Sequence, residues 1–325
     1  MYHWKSYKDR WKGEGIYHLT FVLRERRPIL GTLRGDVQTA EVVLSPIGNM
    51  LLDDIRKIET RHVGVQVYCS RIMPDHLHLL LYVKQDIGKS IKELGRGMRQ
   101  GWKHLSEEMD FAPAFIRPLY HKGQLNAMFE YIRQNPYRAL LKRLNPDLFR
   151  IRREVQVEDL TFTALGNLFL LDYPQRLSVE CSRSDTDERI ANRQAEVMQA
   201  AEDGTIIYSG AVSAGEKKIV RAVREKGFPV VVILNDGFPA AGSEQEKYYK
   251  PNGIYFDACA EGRLLLLEPT EATLDNPRLV LLTEQALRNK AEAKHQDYTP
   301  LPHTSLRWRM MANNTIVRML TERKE

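Results

Sequence analysis

The stretch Pro74-Asp75-His76-Leu77-His78-Leu79-Leu80-Leu81 decides how the first half of this chain is read. It closes a run, Val63 to Val83, that reads as two β-strands joined by a polar turn. Side chains alternate faces along a strand. His76, His78, Leu80 and Tyr82 therefore share one face, and Leu77, Leu79, Leu81 and Val83 share the other. The second set is wholly apolar and is expected to face the core, leaving both imidazoles side by side on a surface open for chemistry. Two histidines spaced i, i+2 on a strand can share one divalent cation. One such pair also arises by coincidence in a chain with nine histidines. Its weight depends on what surrounds it.

Upstream, Tyr17 to Leu23 alternates as a strand, and Val37 to Leu44 is a second β-prone stretch with a small hairpin around Gln38 to Ala40. Ser45-Pro46 reads as an N-cap followed by proline at the first helical position. The helix it opens is expected to reach about Glu59, with Ile47, Met50, Leu51, Ile55 and Ile58 as its buried stripe. Downstream, the spacing of Ile87, Ile91, Leu94, Met98, Trp102 and Leu105 predicts a helix from about Ile87 to Met109. Beside that stripe run Lys89, Lys92, Arg96, Arg99 and Lys103, a nearly continuous positive face. Such a face is either solvated or a phosphate-binding surface.

A short strand follows near Phe115 to Tyr120. Next comes a helix from Gln124 whose Leu125, Met128, Phe129 and Ile132 pack inward. Tyr131 and Asn135 are four apart and lie on one face, with Pro136 ending or kinking the helix there. The element order β-α-β-β-α-β-α implies an α+β domain with a split βαβ, ferredoxin-like antiparallel sheet.

The totals set bounds. With 325 residues, one large or two medium domains are expected. The net charge of +6 is uneven: residues 1–150 carry 25 Lys+Arg against 16 Asp+Glu, and the remainder 23 against 26. A basic first half and a slightly acidic second half suggest that only the first meets a polyanion. No stretch approaches the ~18 uninterrupted apolar residues of a membrane span. The start, Met1-Tyr2-His3-Trp4-Lys5, lacks the apolar core of a secretion signal. Three scattered cysteines, Cys69, Cys181 and Cys259, form neither a disulfide framework nor a metal knuckle. A soluble cytoplasmic protein without membrane contact is expected.

The charged stretch Arg150 to Val157 is taken as the boundary, giving domains 1–153 and 154–325. In the second, Leu165 to Asp172 reads as a strand region, Asp185 to Asp203 as a helix and Thr205 to Gly210 as a strand. Ser213-Ala-Gly-Glu216 is a capping box opening a helix to about Lys226. Val230 to Leu234 and Arg263 to Glu268 supply further strands. Strand, helix, apolar strand is a βαβ unit, so an α/β, Rossmann-like parallel sheet is expected. The turn holding Ser209, Gly210, Ser213 and Gly215 lies where such folds bind a phosphate or nucleotide. Capping alone also explains Ser213 and Glu216. The last stretch, Ser305 to Glu325, reads as a terminal helix whose Arg307, Arg309, Arg318, Arg323 and Lys324 serve either nucleic-acid contact or solubility.

Three features together resemble one family: the PDHLHLLL strand, a basic helix beginning Lys89-Ser-Ile-Lys92, and Tyr131-Ile-Arg-Gln-Asn135-Pro136-Tyr-Arg138-Ala. They resemble the single-tyrosine transposases of the HUH superfamily, especially the REP-associated tyrosine transposases. Tyr17-His18-Leu19-Thr20-Phe21, followed by Arg26-Arg27-Pro28, resembles how these domains begin. The resemblance covers about residues 1–150. It implies a metal-dependent transposase and endonuclease acting on single-stranded DNA at hairpin sites. Tyr131 would be the nucleophile, forming a 5′-phosphotyrosine link. His76, His78 and Asn135 would hold Mg²⁺ or Mn²⁺. Lys89, Lys92, Arg96, Arg99, Lys103 and Arg138 would contact DNA, and a homodimer that exchanges tyrosine helices is left open. Asp75 departs from the Asn or Glu usual in the family, and the stretch from Arg117 to Tyr131, which holds His121, is shorter than in many relatives. The second half faintly resembles the Rossmann domains of the DNA-processing A and SLOG families, through the Ser-Gly turn and Asp257-Ala-Cys-Ala-Glu-Gly262. Two rival readings follow: a domesticated transposase that binds DNA hairpins without cutting, and an SLOG-type nucleotide sensor.

Overall fold

The computed structural model describes residues 14–36, 38–293 and 295–322, and the chain divides into two units between Leu144 and Asn145. The division falls before the expected 153/154 boundary for a physical reason. Phe149 packs on Phe256, ring centroids 4.9 Å apart, and the charged stretch after it is a strand of the second unit's sheet.

The first unit runs β1 (Gly15–Val22), β2 (Gly31–Arg34), β3 (Glu41–Leu44), α1 (Pro46–Arg56), α2 (Ile58–Arg61), β4 (Val65–Ile72), β5 (His76–Val83), α3 (Ile91–Leu105), β6 (Phe115–Leu119), α4 (Lys122–Arg133) and α5 (Asn135–Leu144). Its main sheet has the order β4-β5-β1-β6, with every neighbouring pair antiparallel. β2 and β3 form a separate hairpin, in agreement with the small hairpin expected around Gln38 to Ala40, although its first strand was not foreseen. Val37, where that stretch was expected to begin, lies outside the described residues, as does the N-terminal pentapeptide.

Local chemistry sets the helix ends. Ser45 Oγ accepts the Gly48 N–H at 3.0 Å, with Pro46 in the first turn. Leu51, Ile55 and Ile58 are buried as expected, but Met50 is 43% exposed. A stripe through Leu51 and Ile55 puts Met50 about 100° round the helix from Leu51. α3 starts later than its apolar spacing suggested, because Ser90 and Glu93 form a reciprocal capping box. Ile87 and Lys89 therefore precede the helix. Ile91, Leu94, Met98 and Trp102 pack against Leu77, Leu79, Leu81 and Val83, the apolar face of β5. Trp102 Nε1 donates to the buried Asp54 carboxylate at 3.0 Å, tying α3 to α1.

The opposite sheet face is not the open surface expected. Leu80 and Tyr82 are apolar and need cover, and α4 supplies it. Ile132 is buried with Ile16, Leu80 and Leu119, and Leu125, Met128, Phe129 and Tyr131 pack around them.

The second unit runs β7 (Arg152–Val157), β8 (Leu160–Gly166), β9 (Arg176–Ser178), α6 (Asp187–Glu202), β10 (Ile206–Ser209), α7 (Ala214–Glu225), β11 (Val230–Ile233), α8 (Glu244–Tyr248), α9 (Gly253–Ala260), β12 (Leu264–Pro269), α10 (Glu271–Leu274), α11 (Pro277–Glu292) and α12 (Leu306–Thr321). Its sheet has the order β7-β8-β12-β11-β10-β9. β9 to β12 are parallel, while β8 runs antiparallel to β12 and β7 antiparallel to β8. β7, a sheet-edge strand, escaped the sequence because Arg152-Arg153-Glu154 precede the two residues, Val155 and Val157, that pack on the core. The strand expected over Leu165 to Asp172 ends at Gly166 and gives way to a single tight turn, Leu168–Leu171. Tyr208, Val231, Ile233, Leu265 and Leu267 form one sheet face, packed against Leu279 of α11 and Ile316, Val317 and Leu320 of α12. Among the described residues, no helix is long and apolar enough to cross a membrane.

Candidate active site

β5 delivers both histidines to the face under α4. His76, whose side chain is 18% exposed, has Nδ1 2.6 Å from Asp75 Oδ1. Asp75 Oδ2 in turn accepts from Arg26 Nη1 at 3.2 Å. Burial pulls the Asp75 pKa upward, but the His76 hydrogen bond and charge and the Arg26 guanidinium outweigh it. The net result holds this carboxyl below the usual range, so it is ionised and orients His76.

His78 is buried, at 3% exposure. Its Nδ1 lies 3.0 Å from His18 Nε2 and 3.1 Å from Thr20 Oγ1. The His18 and His78 rings stack, centroids 5.1 Å apart. Sequence reasoning gave His18 no role. The signal was available, since β1 pairs antiparallel with β5 and puts Thr20 directly opposite His78. His18, two residues before Thr20, must then share the histidine face. Burial first, and the charge of Arg117 second, push the His18 pKa down to about 4, so its ring is neutral at physiological pH.

α4 brings the tyrosine. The Tyr131 ring meets His78 edge-on, centroids 5.4 Å apart at 76°, and His18 likewise at 6.2 Å and 79°. The His76 and His78 rings lie 4.9 Å apart. The tyrosine helix breaks at Gln134, just before Asn135-Pro136 and close to where Pro136 was expected to end or kink it. Asn135-Pro136 begin α5, where proline's missing N–H costs nothing. Asn135 is 3% exposed, and its Nδ2 donates to the Tyr131 carbonyl at 3.0 Å. That bond clasps the two helices at the tyrosine.

The donor set fits a divalent cation in one respect that the structure tests. Both imidazoles spend Nδ1 on neighbouring groups, His76 on a carboxylate and His78 on His18 and Thr20. Metal-binding histidines have this arrangement, with Nε2 as the ligand atom. Among the described residues, no three His, Cys, Asp or Glu side chains gather to hold a metal ion. A cation held by His76 and His78 would have to take any third protein ligand from another residue type, such as the Asn135 amide.

The basic residues separate into groups. Lys92, Arg96, Arg99 and Lys103 lie along α3, with Lys89 exposed just before it. Lys103 pairs with Asp110 at 3.5 Å, and Arg99 Nη1 donates to the Phe111 carbonyl at 3.4 Å. Arg138 departs from the expected DNA-contacting set: it is only 9% exposed, packed inward on α5 beside Leu141. His121 caps α4, its Nδ1 accepting the Gln124 N–H at 3.2 Å.

In the second unit, the turn expected to bind phosphate is filled from within. Glu216 is fully buried, and its carboxylate accepts the N–H groups of Val212 at 2.6 Å, Ser213 at 3.1 Å and Cys181 at 3.1 Å. Ser209 Oγ donates to the Val179 carbonyl and accepts the Ala211 N–H. A Cβ on Gly210 would stand 2.7 Å from Asn314 Oδ1, so α12 closes over this glycine. The Val212 and Ser213 amides of this turn are taken by a carboxylate that would repel a phosphate, which weighs against Ser209, Gly210, Ser213 and Gly215 as an anion site. Gly215 serves packing instead, facing Cys181 and Ile190. Two of the C-terminal arginines are likewise engaged, Arg309 with Glu271 at 2.9 Å and Arg318 with Glu180 at 2.5 Å, while Arg307 is exposed. Arg323 and Lys324 lie outside the described residues.

No family model matches this chain, and no curated protein is similar to it by sequence. Two of the solved structures that are similar to it match only part of the chain. One is a REP-associated tyrosine transposase bound to a REP hairpin, 18% identical, covering 43% of this chain and 74% of that one, with a TM-score of 0.32. The other is a protein of Deinococcus radiodurans R1 assigned as a transposase, 18% identical, covering 37% of this chain and 90% of that one, with a TM-score of 0.26.

Proposed function

We propose that the first unit is a metal-dependent, single-tyrosine transposase and nuclease of ferredoxin-like fold that cuts single-stranded DNA at hairpin sites. The second unit is then a Rossmann-like companion domain. The observation that carries this reading is the Tyr131 ring set edge-on against His78, beside His76 on the same strand.

Each residue has a task. The Tyr131 hydroxyl attacks the scissile phosphorus as its proton departs; the Tyr–O–P bond forms and the P–O3′ bond breaks. The 3′ oxygen leaves as a hydroxyl after taking a proton. The product is a 5′-phosphotyrosine, which conserves the phosphodiester energy so that another 3′-hydroxyl can reverse the step. His76, His78 and the Asn135 amide oxygen would hold Mg²⁺ or Mn²⁺, which when bound neutralises charge building on the phosphate. Asp75 and Arg26 fix the His76 ring, and His18 and Thr20 fix that of His78. The cations of α3 hold phosphates without reading sequence.

The test uses a library of single-stranded hairpin oligonucleotides with Mg²⁺ or Mn²⁺, and wild-type protein beside Tyr131→Phe. A covalent protein–DNA adduct on a denaturing gel, dependent on metal and absent in Tyr131→Phe, is expected. An adduct that survives the substitution would assign the nucleophile elsewhere. Equal DNA binding without an adduct in either protein would leave a non-cleaving hairpin binder.

A further inference from the structure

A cavity of about 590 Å³ lies at the edge of the first unit's sheet, between α3 and the segment that enters β6. Its size is that of a site for a small ligand. Lys92, Arg96 and Arg99 line it from α3, and Ala114 and Phe115 from the other side. Gly95 lines it as well, and a Cβ there would lie 3.8 Å from that of Ala114. Larger side chains at this helical position would fill the space.

Phe115 is the unusual member. It is 67% exposed, so it contributes little to the core, yet it opens an edge strand. Its partner across the sheet is Thr20, and antiparallel partners share a face. Thr20 in turn contacts His78. α3 packs on the other face of the sheet, so it is round the edge strand β6 that Phe115 borders both the cation-lined cavity and the histidine face. An exposed aromatic beside cations spaced along a helix is the combination that holds single-stranded nucleic acid: the ring stacks a base while the cations follow the backbone.

We propose that this cavity receives one unpaired DNA nucleotide adjoining the scissile phosphate, its base against Phe115 and its flanking phosphates on Lys92, Arg96 and Arg99. The placement beside the scissile phosphate rests on the reading of the histidine face as a cleavage site. The cavity's affinity for an unpaired base does not.

The test measures binding alone, by fluorescence anisotropy without divalent metal, on the full-length Tyr131→Phe chain. The probe is the best-binding hairpin of the library, carrying a single-stranded arm in which each position in turn is made abasic. One position is expected to weaken binding about five- to a hundred-fold when its base is removed. Adding Phe115→Ala is expected to abolish that one sensitivity while the other positions and the melting temperature stay unchanged. A separate Lys92→Gln, Arg96→Gln variant should make the log–log salt dependence shallower by about 1.4, roughly 0.7 per lost phosphate contact. A flat abasic scan, no measurable binding, a sensitive position that persists in Phe115→Ala, or an unchanged salt slope would each overturn the proposal. Failure of the adduct assay with this scan intact would remove the cleavage reading and leave the nucleotide site.

Discussion

Tyr131 and His78, 53 residues apart in sequence, meet ring edge to ring face with centroids 5.4 Å apart. Neither residue's own element requires the encounter. It comes about because the apolar Leu80 and Tyr82 alternate with the histidines on β5 and need a covering helix, and α4 is that helix. The same packing that stabilises the sheet face sets the hydroxyl-bearing ring beside the imidazoles.

Tyr131→Phe keeps the ring in that contact and removes only the hydroxyl. The stability change is expected to stay within about 1 kcal/mol by urea unfolding. A much larger loss would show that the hydroxyl is structural, and a missing adduct in that variant would then no longer report on chemistry.

The two histidines should differ when truncated. His78→Ala opens a hole in a buried site and takes from His18 and Thr20 their shorter hydrogen bonds, leaving them the 3.4 Å contact with each other, at a cost of about 2–3 kcal/mol. His76→Ala removes a partly exposed ring and leaves Asp75 still paired with Arg26, at a cost of about 1 kcal/mol or less. Equal losses would contradict this assignment of burial and partners. Both variants should lose the adduct.

Gly97 and Gly101 lie within α3, both exposed, and a Cβ at either meets nothing within 4 Å. Alanine at each should stabilise the helix by about 1 kcal/mol, raising the melting temperature. On the helical wheel both sit away from Lys92, Arg96 and Arg99, so DNA affinity should not change. A loss of affinity would mean that the backbone at these glycines touches the ligand.

Glu216 accepts three backbone N–H groups while fully buried. Glu216→Ala leaves those donors unsatisfied and should cost about 3 kcal/mol in the second unit's unfolding. Glu216→Gln keeps one acceptor oxygen and should cost less. A neutral Glu216→Ala would show that the turn has another way to satisfy its amides, and would reopen it as an anion site.

Burial pushes the Cys69 thiol up to about 11 and that of Cys259 to about 12. For Cys181, burial and then the Glu216 and Asp185 charges act in the same direction. A thiol's reactive form is the thiolate, and at pH 8 a group with a pKa near 11 is about a thousandth ionised. Iodoacetamide at pH 8 should therefore label all three slowly in the native protein and rapidly in denaturant, as read by mass spectrometry. Raising the pH should bring Cys69 into reaction before Cys259. Fast native labelling of Cys259 would contradict its burial.

What the sequence determined by itself was local. Period-two alternation marked β5 and its core face, Ser45 and the Ser213 box marked helix starts, and the four-residue interval joined Tyr131 to Asn135. Each of these signals acts over a few residues, so it can be read in order along the chain. The tertiary structure decided the rest. His18 joined the site only through strand pairing, β7 was visible only as a partner of β8, and the burial of Arg138 was decided only when α5 packed. The Ser213 capping box was legible as a motif, but that its Glu216 also takes the Cys181 amide depends on a segment 35 residues away. Burial and contact between distant segments have no local period, and they alone settle which polar groups remain available for chemistry.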